Sequence, residues 1–436
     1  MNTTGQGDGF ARMRSVFGEN VTRIIEGCIR SAIDAVSPSS VIRGFLASRR
    51  GKAVRRFAAE NAAELYCYGA GKASAGMLRA LPASDFEFAG GQINCLENSR
   101  YGRISLEKCS HPLTSISSVK NTESMVDEIN SLPESSAIIF LLSGGASAML
   151  SRPIEPVTIE EKRNITEKLL MSAAGIGELN CVRRHISDVK GGKLAKRCFP
   201  RKVQSLLISD VTGNRLEDIG SGPMCGDPTT VSDALAVMRK YDVAKMFSRD
   251  RIDELASGKW ETVRKGDRML SAASNTIMAD NSTAVSGIVS FAGRNGLPAA
   301  VDSRRITSRA EVEIPEFIAR ARHALKGNGI FISGGEALVN VLSRGYGGRC
   351  QHFAIAAGML LKEGEFVAAL ATDGHDGNTT NAGAVTSAID RSEAADYLDS
   401  FNSGKFFDIT GTSFRIGDTG TNVSDIYLYM RMNKAL

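Results

Sequence analysis

LYCYGAGKASAGMLRAL, residues 65–81, reads as a strand, a glycine turn and a helix in immediate succession. The apolar run Leu65 to Tyr68 stops at Gly69-Ala70-Gly71-Lys72, and helix formers follow. The same grammar recurs along the chain. AIIFLL (137–142) ends at Ser143-Gly144-Gly145, and QSLLIS (204–209) ends at Asp210. GIFI (329–332) ends at Ser333-Gly334-Gly335, and FVAALAT (366–372) ends at Asp373-Gly374. Continuous apolar strands are usually buried on both faces, which favours parallel pairing. Helical stretches such as VTRIIEGCIRSAIDAV (21–36) complete an α/β alternation. Each half has one strand ending in Ser-Gly-Gly and a later one ending in aspartate, and the more polar stretch 226–270 separates them. The expectation is an α/β fold of two α/β domains. Ligands of open α/β sheets sit beyond the carboxyl ends of the strands, so the turns point to a cleft between the domains.

Composition narrows the partners. A chain of 436 residues holds two full cores. The net charge of +5 suits small anions and is too slight for nucleic acid, and 6% aromatic residues offer no stacking platform. The eight cysteines include no CxxC pair, so they read as reduced thiols in a cytoplasmic protein. No apolar run follows a basic one at the start, and none reaches the ~18 residues of a membrane span.

Six constellations carry candidate chemistry. Ser143-Gly144-Gly145-Ala146-Ser147 follows a buried strand, and such a turn can aim backbone N–H groups at phosphate; a plain tight turn is equally consistent with it. VRRHISDVKGGKLAK (182–196) gathers Arg183, Lys190 and Lys193 around two glycines, as an anion site would, although a solvated basic helix face reads the same way. In the loop 206–230, Asp210 stands at a strand end, with Asp218 and Asp227 downstream. In TDGHDG (372–377), Asp373 and Asp376 are spaced to share a hard cation. Arg349 follows the glycines of GYGG (345–348), as an arginine that stabilises a transferring phosphoryl group would, although a surface arginine in a hairpin reads the same way. The last, Gly69-Ala70-Gly71, half-fits a dinucleotide fingerprint, with Ser74 at the third glycine and Glu97 where a ribose-binding acid falls. That keeps an NAD(P)H-dependent reductase as a rival.

Taken in order, these segments resemble the class II glycerate 2-kinase family, whose C-terminal domain is called MOFRL. The likeness runs over about residues 20–430. It includes GAGKA at Lys72, Ser110-His111-Pro112, SGGASA, VRRHISDVKGGKLA, SDVTGN, AASNT at Asn275, SGGE at 333–336, GGRCQ at 347–351, TDGHDG and GTNVSD at 420–425. The resemblance implies an N-terminal Rossmann-like domain with a parallel sheet, placed at 11–250, and a smaller C-terminal MOFRL-type domain at 265–436. It implies ATP and Mg²⁺ as cofactors and D-glycerate as the phosphoryl acceptor, giving 2-phospho-D-glycerate. Lys72 and Arg349 match the residues regarded as catalytic, with Asp210 and Asp373 beside them. Ser143, Gly144, Gly145, Ser147, Asn275, Gly334, Gly335 and Glu336 are assigned to the nucleotide. Arg183, Lys190 and Lys193 are assigned to the substrate, and Asp210, Asp373 and Asp376 to the metal. A homodimer stays open. The chain departs from the family at Cys350, where asparagine is usual, at His352, and at Thr380, where aspartate is usual. A hydroxypyruvate reductase, or a metabolite-binding homologue that has lost transfer, are the alternatives.

Overall fold

The computed structural model describes residues 10–172, 174–341 and 345–432, and their strands form two sheets. The first contains β1 (Leu65–Ala70), β2 (Gly90–Cys95), β3 (Ser99–Tyr101), β4 (Ile104–Lys108), β5 (Ala137–Leu142), β6 (Lys202–Ile208) and β7 (Ala273–Ala279), in the order β3-β4-β2-β1-β5-β6-β7. Strands β4, β2, β1, β5 and β6 run parallel to one another, and β3 is antiparallel to β4 at the edge. Every residue of β5 is buried, as a strand covered on both faces must be. Tyr68, Phe140, Leu142, Ile129 and Leu194 belong to one core on this sheet. A second core of this part gathers helix residues around Trp260 and Phe247.

The second sheet contains β8 (Ala299–Val301), β9 (Gly329–Gly335), β10 (Glu365–Ala371), β11 (Gly383–Thr386), β12 (Ser413–Phe414) and β13 (Asp425–Arg431), in the order β12-β11-β10-β13-β9-β8. Here the parallel expectation fails. Strand β13 lies between β9 and β10 and is antiparallel to both, and only β8 and β9 pair in parallel. Burial on both faces made these strands read as parallel, yet apolar continuity reports burial and not direction.

Two compact units result: Val41–Met278, and the residues up to Ser40 together with those from Ala279 onward. The expected first domain, beginning at residue 11, thus loses its first helices to the other unit. Helix Glu19–Val36 packs in that unit on helix Asn281–Arg294. Glycines permit the close crossing. A methyl at Gly27 would sit 2.1 Å from the Phe291 ring, and one at Gly287 would sit 2.4 Å from the Ser31 carbonyl oxygen. Among the described residues no helix is long and apolar enough to cross a membrane.

Candidate active site

In the unit Val41–Met278, three neighbouring parallel strands end side by side, with Ala70 opposite Leu142 and Leu142 opposite Leu207. Their turns bring Lys72, Ser143 to Ser147 and Asp210 to one edge of the sheet. The first turn is locked by its neighbour. Lys72 N donates to Gly144 O at 2.9 Å, Gly71 N to Asn94 O at 3.1 Å, and Ala73 N to the Ser143 hydroxyl at 3.0 Å. Ser74 N is likewise bonded, to Gly71 O. These N–H groups are therefore committed within the protein and do not cradle a pyrophosphate, as the dinucleotide reading requires. Glu97, the proposed ribose acid, is ion-paired with Arg79. Ser143 and Gly144 accordingly hold the scaffold together. Gly145 and Ser147 instead line a cavity of about 270 Å³. A side chain on Gly145 would meet Lys72 Cγ and His111 Cδ2 at 3.2 Å each, which sets the stem of Lys72 directly behind this wall.

The same cavity is lined by Arg183, Lys190 and Asp210, all singled out from the sequence, and by Lys162, which was not. Lys193 is absent from it. Its ammonium donates to three backbone carbonyls, of Ser187 at 2.7 Å and of His185 and Trp260 at 3.3 Å, so it closes a loop and does not face a ligand. Asp218 and Asp227 are also structural. Both pair with buried Arg184, at 3.3 and 2.8 Å. Asn275 donates to Met224 O at 2.8 Å and does not line the cavity. Lys162 lies on the buried face of helix Ile159–Met171 with Ile165 and Leu169. Its run EEKRN has the charged composition of a surface helix, and only the three- and seven-residue spacing to those apolar residues marks Lys162 as inward-facing.

In the other unit, β13 begins where β9 and β10 end. Asp425 stands opposite Gly335 on one side and Ala371 on the other. Glu336, Asp373, Asp425 and Arg349 therefore converge on one edge, around a cavity of about 580 Å³. Arg349 opens helix Arg349–Gly358. Asp425 grips its guanidinium with both oxygens, Nε at 2.5 Å and Nη2 at 3.1 Å, while Nη1 pairs with Glu336. Burial on its own would lower the Arg349 pKa, but Asp425 and Glu336 outweigh it and hold the group firmly charged. Asp425 is steadied by Tyr427, whose hydroxyl donates to it at 3.1 Å and accepts from Ala337 N at 3.0 Å. Asp425 falls in the GTNVSD motif, where nothing in the sequence marks it for a role; its bidentate geometry with Arg349 exists only once the strands pair.

Several assigned residues of this unit are structural. Asp376 is buried, and its oxygens accept from Cys350 N at 3.0 Å and Gln351 N at 2.7 Å, capping the helix that carries Arg349. Burial pushes its pKa up to about 7, against the pull of those two donors. With both oxygens so engaged, it is a poor metal ligand. Among the described residues no three His, Cys, Asp or Glu groups gather as a metal cluster. Gly334 and Gly335 lie within β9. A methyl on Gly334 would fall 1.5 Å from Asn281 Oδ1, and one on Gly335 2.0 Å from the Ile306 carbonyl oxygen, so these glycines serve close packing. Cys350 is wholly buried in the apolar core, so this departure changes packing and not the cavity wall. His352 does line the cavity, stacked on Phe401 at 5.8 Å. Thr380 is exposed and outside the lining.

Residues 24–255 match the domain of unknown function DUF4147, and residues 329–425 match the MOFRL family. A D-glycerate 2-kinase of Thermotoga maritima is 34% identical over 337 residues, covering 73% of this chain and 78% of that protein. A putative hydroxypyruvate reductase of Agrobacterium vitis is 32% identical, covering 82% and 85%. A crystal structure of a glycerate kinase from Thermotoga maritima superposes with a TM-score of 0.80 at 28% identity, covering 94% of this chain and 99% of that one. The chain belongs to the class II glycerate kinase family, with its DUF4147 and MOFRL domains.

Proposed function

We propose that the protein transfers the γ-phosphoryl group of ATP to a hydroxyl of a small hydroxy acid, D-glycerate first among them, to give 2-phospho-D-glycerate and ADP. The observation that carries this reading is a small cation-lined cavity at the strand ends that also carry Lys72 and Asp210, in a chain whose relatives include glycerate kinases. Phosphoryl transfer needs positioning and neutralised charge more than covalent chemistry. Lys72 and Arg349 are the cations proposed to act on the transferring group. Arg183 and Lys190 are the groups proposed to hold the acid. The larger cavity, walled by Leu338, Val339, His352 and Phe401 with Glu336 and Arg349 at its polar side, suits a nucleotide. Mg²⁺ is commonly held by one or two carboxylates and the phosphates themselves. Asp210 and Asp373, each half-buried and lining a cavity, fit that need; the ion would neutralise phosphate charge. Asp210 or Asp373 is also the candidate to orient the attacking hydroxyl and take its proton.

The test is a panel of hydroxy acids with ATP and Mg²⁺, read by coupled ADP release. ADP release with D-glycerate above the other acids is expected. ATP binding with no release across the panel would leave a metabolite-binding homologue. Oxidation of NAD(P)H by hydroxypyruvate, without ATP, would favour the reductase.

A further inference from the structure

Lys162 has no place in the assignments above, yet it is 5% exposed and lines the same cavity as Lys190, which is 1% exposed. Its ammonium donates to the Ser151 hydroxyl at 2.6 Å, and Lys190 donates to Gly220 O at 3.1 Å. Neither these lysines nor Arg183 meets a carboxylate at ion-pairing distance among the described residues. Arg163, whose Nε donates to Thr114 O at 2.7 Å, and the exposed imidazole of His111 also face the space. Its carboxylates are Asp210 and the exposed Glu167.

Burying cations side by side with no carboxylate in ion-pairing contact is costly. An oxyanion entering the cavity removes that penalty for all of them at once. At about 270 Å³ the space falls below the ~300–1,000 Å³ typical for drug-sized ligands, so its occupant is small. We propose that Lys162 completes, with Arg183 and Lys190, a seat for one small oxyanion group, either the carboxylate of the acceptor acid or a phosphate. The identity of the acid rests on the kinase reading; the seat itself does not.

A consequence separates this from a structural role. Burial pushes the Lys162 pKa down to about 7 and that of Lys190 well below its usual value, with neighbouring cations adding to both. Above pH 7 the empty seat is therefore short of protons, and an oxyanion must draw them in as it binds. Affinity is highest at low pH and falls as pH rises past about 7.

Isothermal titration calorimetry on the full chain tests this, with D-glycerate, ADP and inorganic phosphate as separate probes, at pH 8 in two buffers of different ionisation enthalpy. We expect at least one probe to bind with net proton uptake. Lys162→Met should weaken that probe about tenfold or more and reduce the uptake, while the Tm stays level or rises because a buried charge is gone. Loss confined to D-glycerate identifies a carboxylate as occupant; loss for ADP and phosphate identifies a phosphate. Wild-type affinity for every probe in both Lys162→Met and Arg183→Met overturns the seat, as does the absence of binding, or of proton uptake, in the wild type. Should Lys162→Met not fold, Arg183→Met and the wild-type uptake still decide. Proton-linked binding of phosphate without turnover of any acid would sink the kinase reading and leave the seat standing.

Discussion

Arg349 is held by three oxygens in a geometry that a lysine could not reproduce, because only a planar fork meets Asp425 with two parallel bonds while leaving a third donor for Glu336. We expect Arg349→Ala and Lys72→Ala each to lower kcat/KM by about 10²-fold or more, the scale of losing a charge contact to the transition state. Near-normal steady-state kinetics in both would remove them from the mechanism. Asp425→Asn should leave Arg349 in place but misaligned, with a loss approaching 10²-fold in kcat and a smaller change in KM. Asp376 offers a pH signature. Its folded pKa of about 7 lies above the ~3.9 of an unfolded aspartate, so the folded state binds the extra proton between those values. Stability should therefore fall as pH rises from about 4 to about 7. Urea titrations of Asp376→Asn should show a flatter slope over that window.

At the scale of elements, close contacts of backbone with side chain place the chemistry. The start of helix Arg349–Gly358 is set by Asp376, and Gly348 leaves room for it: a methyl there would lie 2.2 Å from Asp376 Oδ1. Gly348→Ala should cost about 1–3 kcal/mol by overpacking and reduce activity through the displaced Arg349. Asn281 opens helix Asn281–Arg294 and donates to the carbonyls of Val423 and Asp425, both at 2.9 Å. Asn281→Ala strands those buried carbonyls and should cost about 2 kcal/mol. Denaturant melts at fixed pH check both.

For the whole molecule, the division into units makes a cutting experiment informative. A fragment spanning 41–278 contains its sheet, save Ala279 at the end of β7, and the cores around Phe140 and Trp260. It should melt cooperatively by itself. A fragment starting at 265, the boundary expected from polarity, lacks the helix Glu19–Val36 that covers helix Asn281–Arg294. It should be unfolded or aggregated, and restoring residues 10–40 should recover a cooperative far-UV circular dichroism transition. Equal melts with and without residues 10–40 would contradict that account.

The strands themselves were legible because their apolar runs and glycine stops are local: β1, β5, β6, β9 and β10 fall on the segments read from periodicity. The family was legible through ordered motifs, and so was the place of Lys72, Asp210 and Asp373 just beyond strand ends, while Arg349 was read only as following a glycine turn. Strand direction in the second sheet was not, since the intervening partner, β13, comes from the far end of the chain. Nor could charge be sorted by reading. Lys193 and Lys162 both sit in charged, polar-looking runs, yet one is consumed by carbonyls and the other faces a cavity. Whether a buried cation is satisfied depends on which backbone oxygens and carboxylates the fold carries within about 3 Å of it; for Lys193 the chain must turn back on itself to present His185 and Ser187 and must also bring in distant Trp260, and only the tertiary structure decides that.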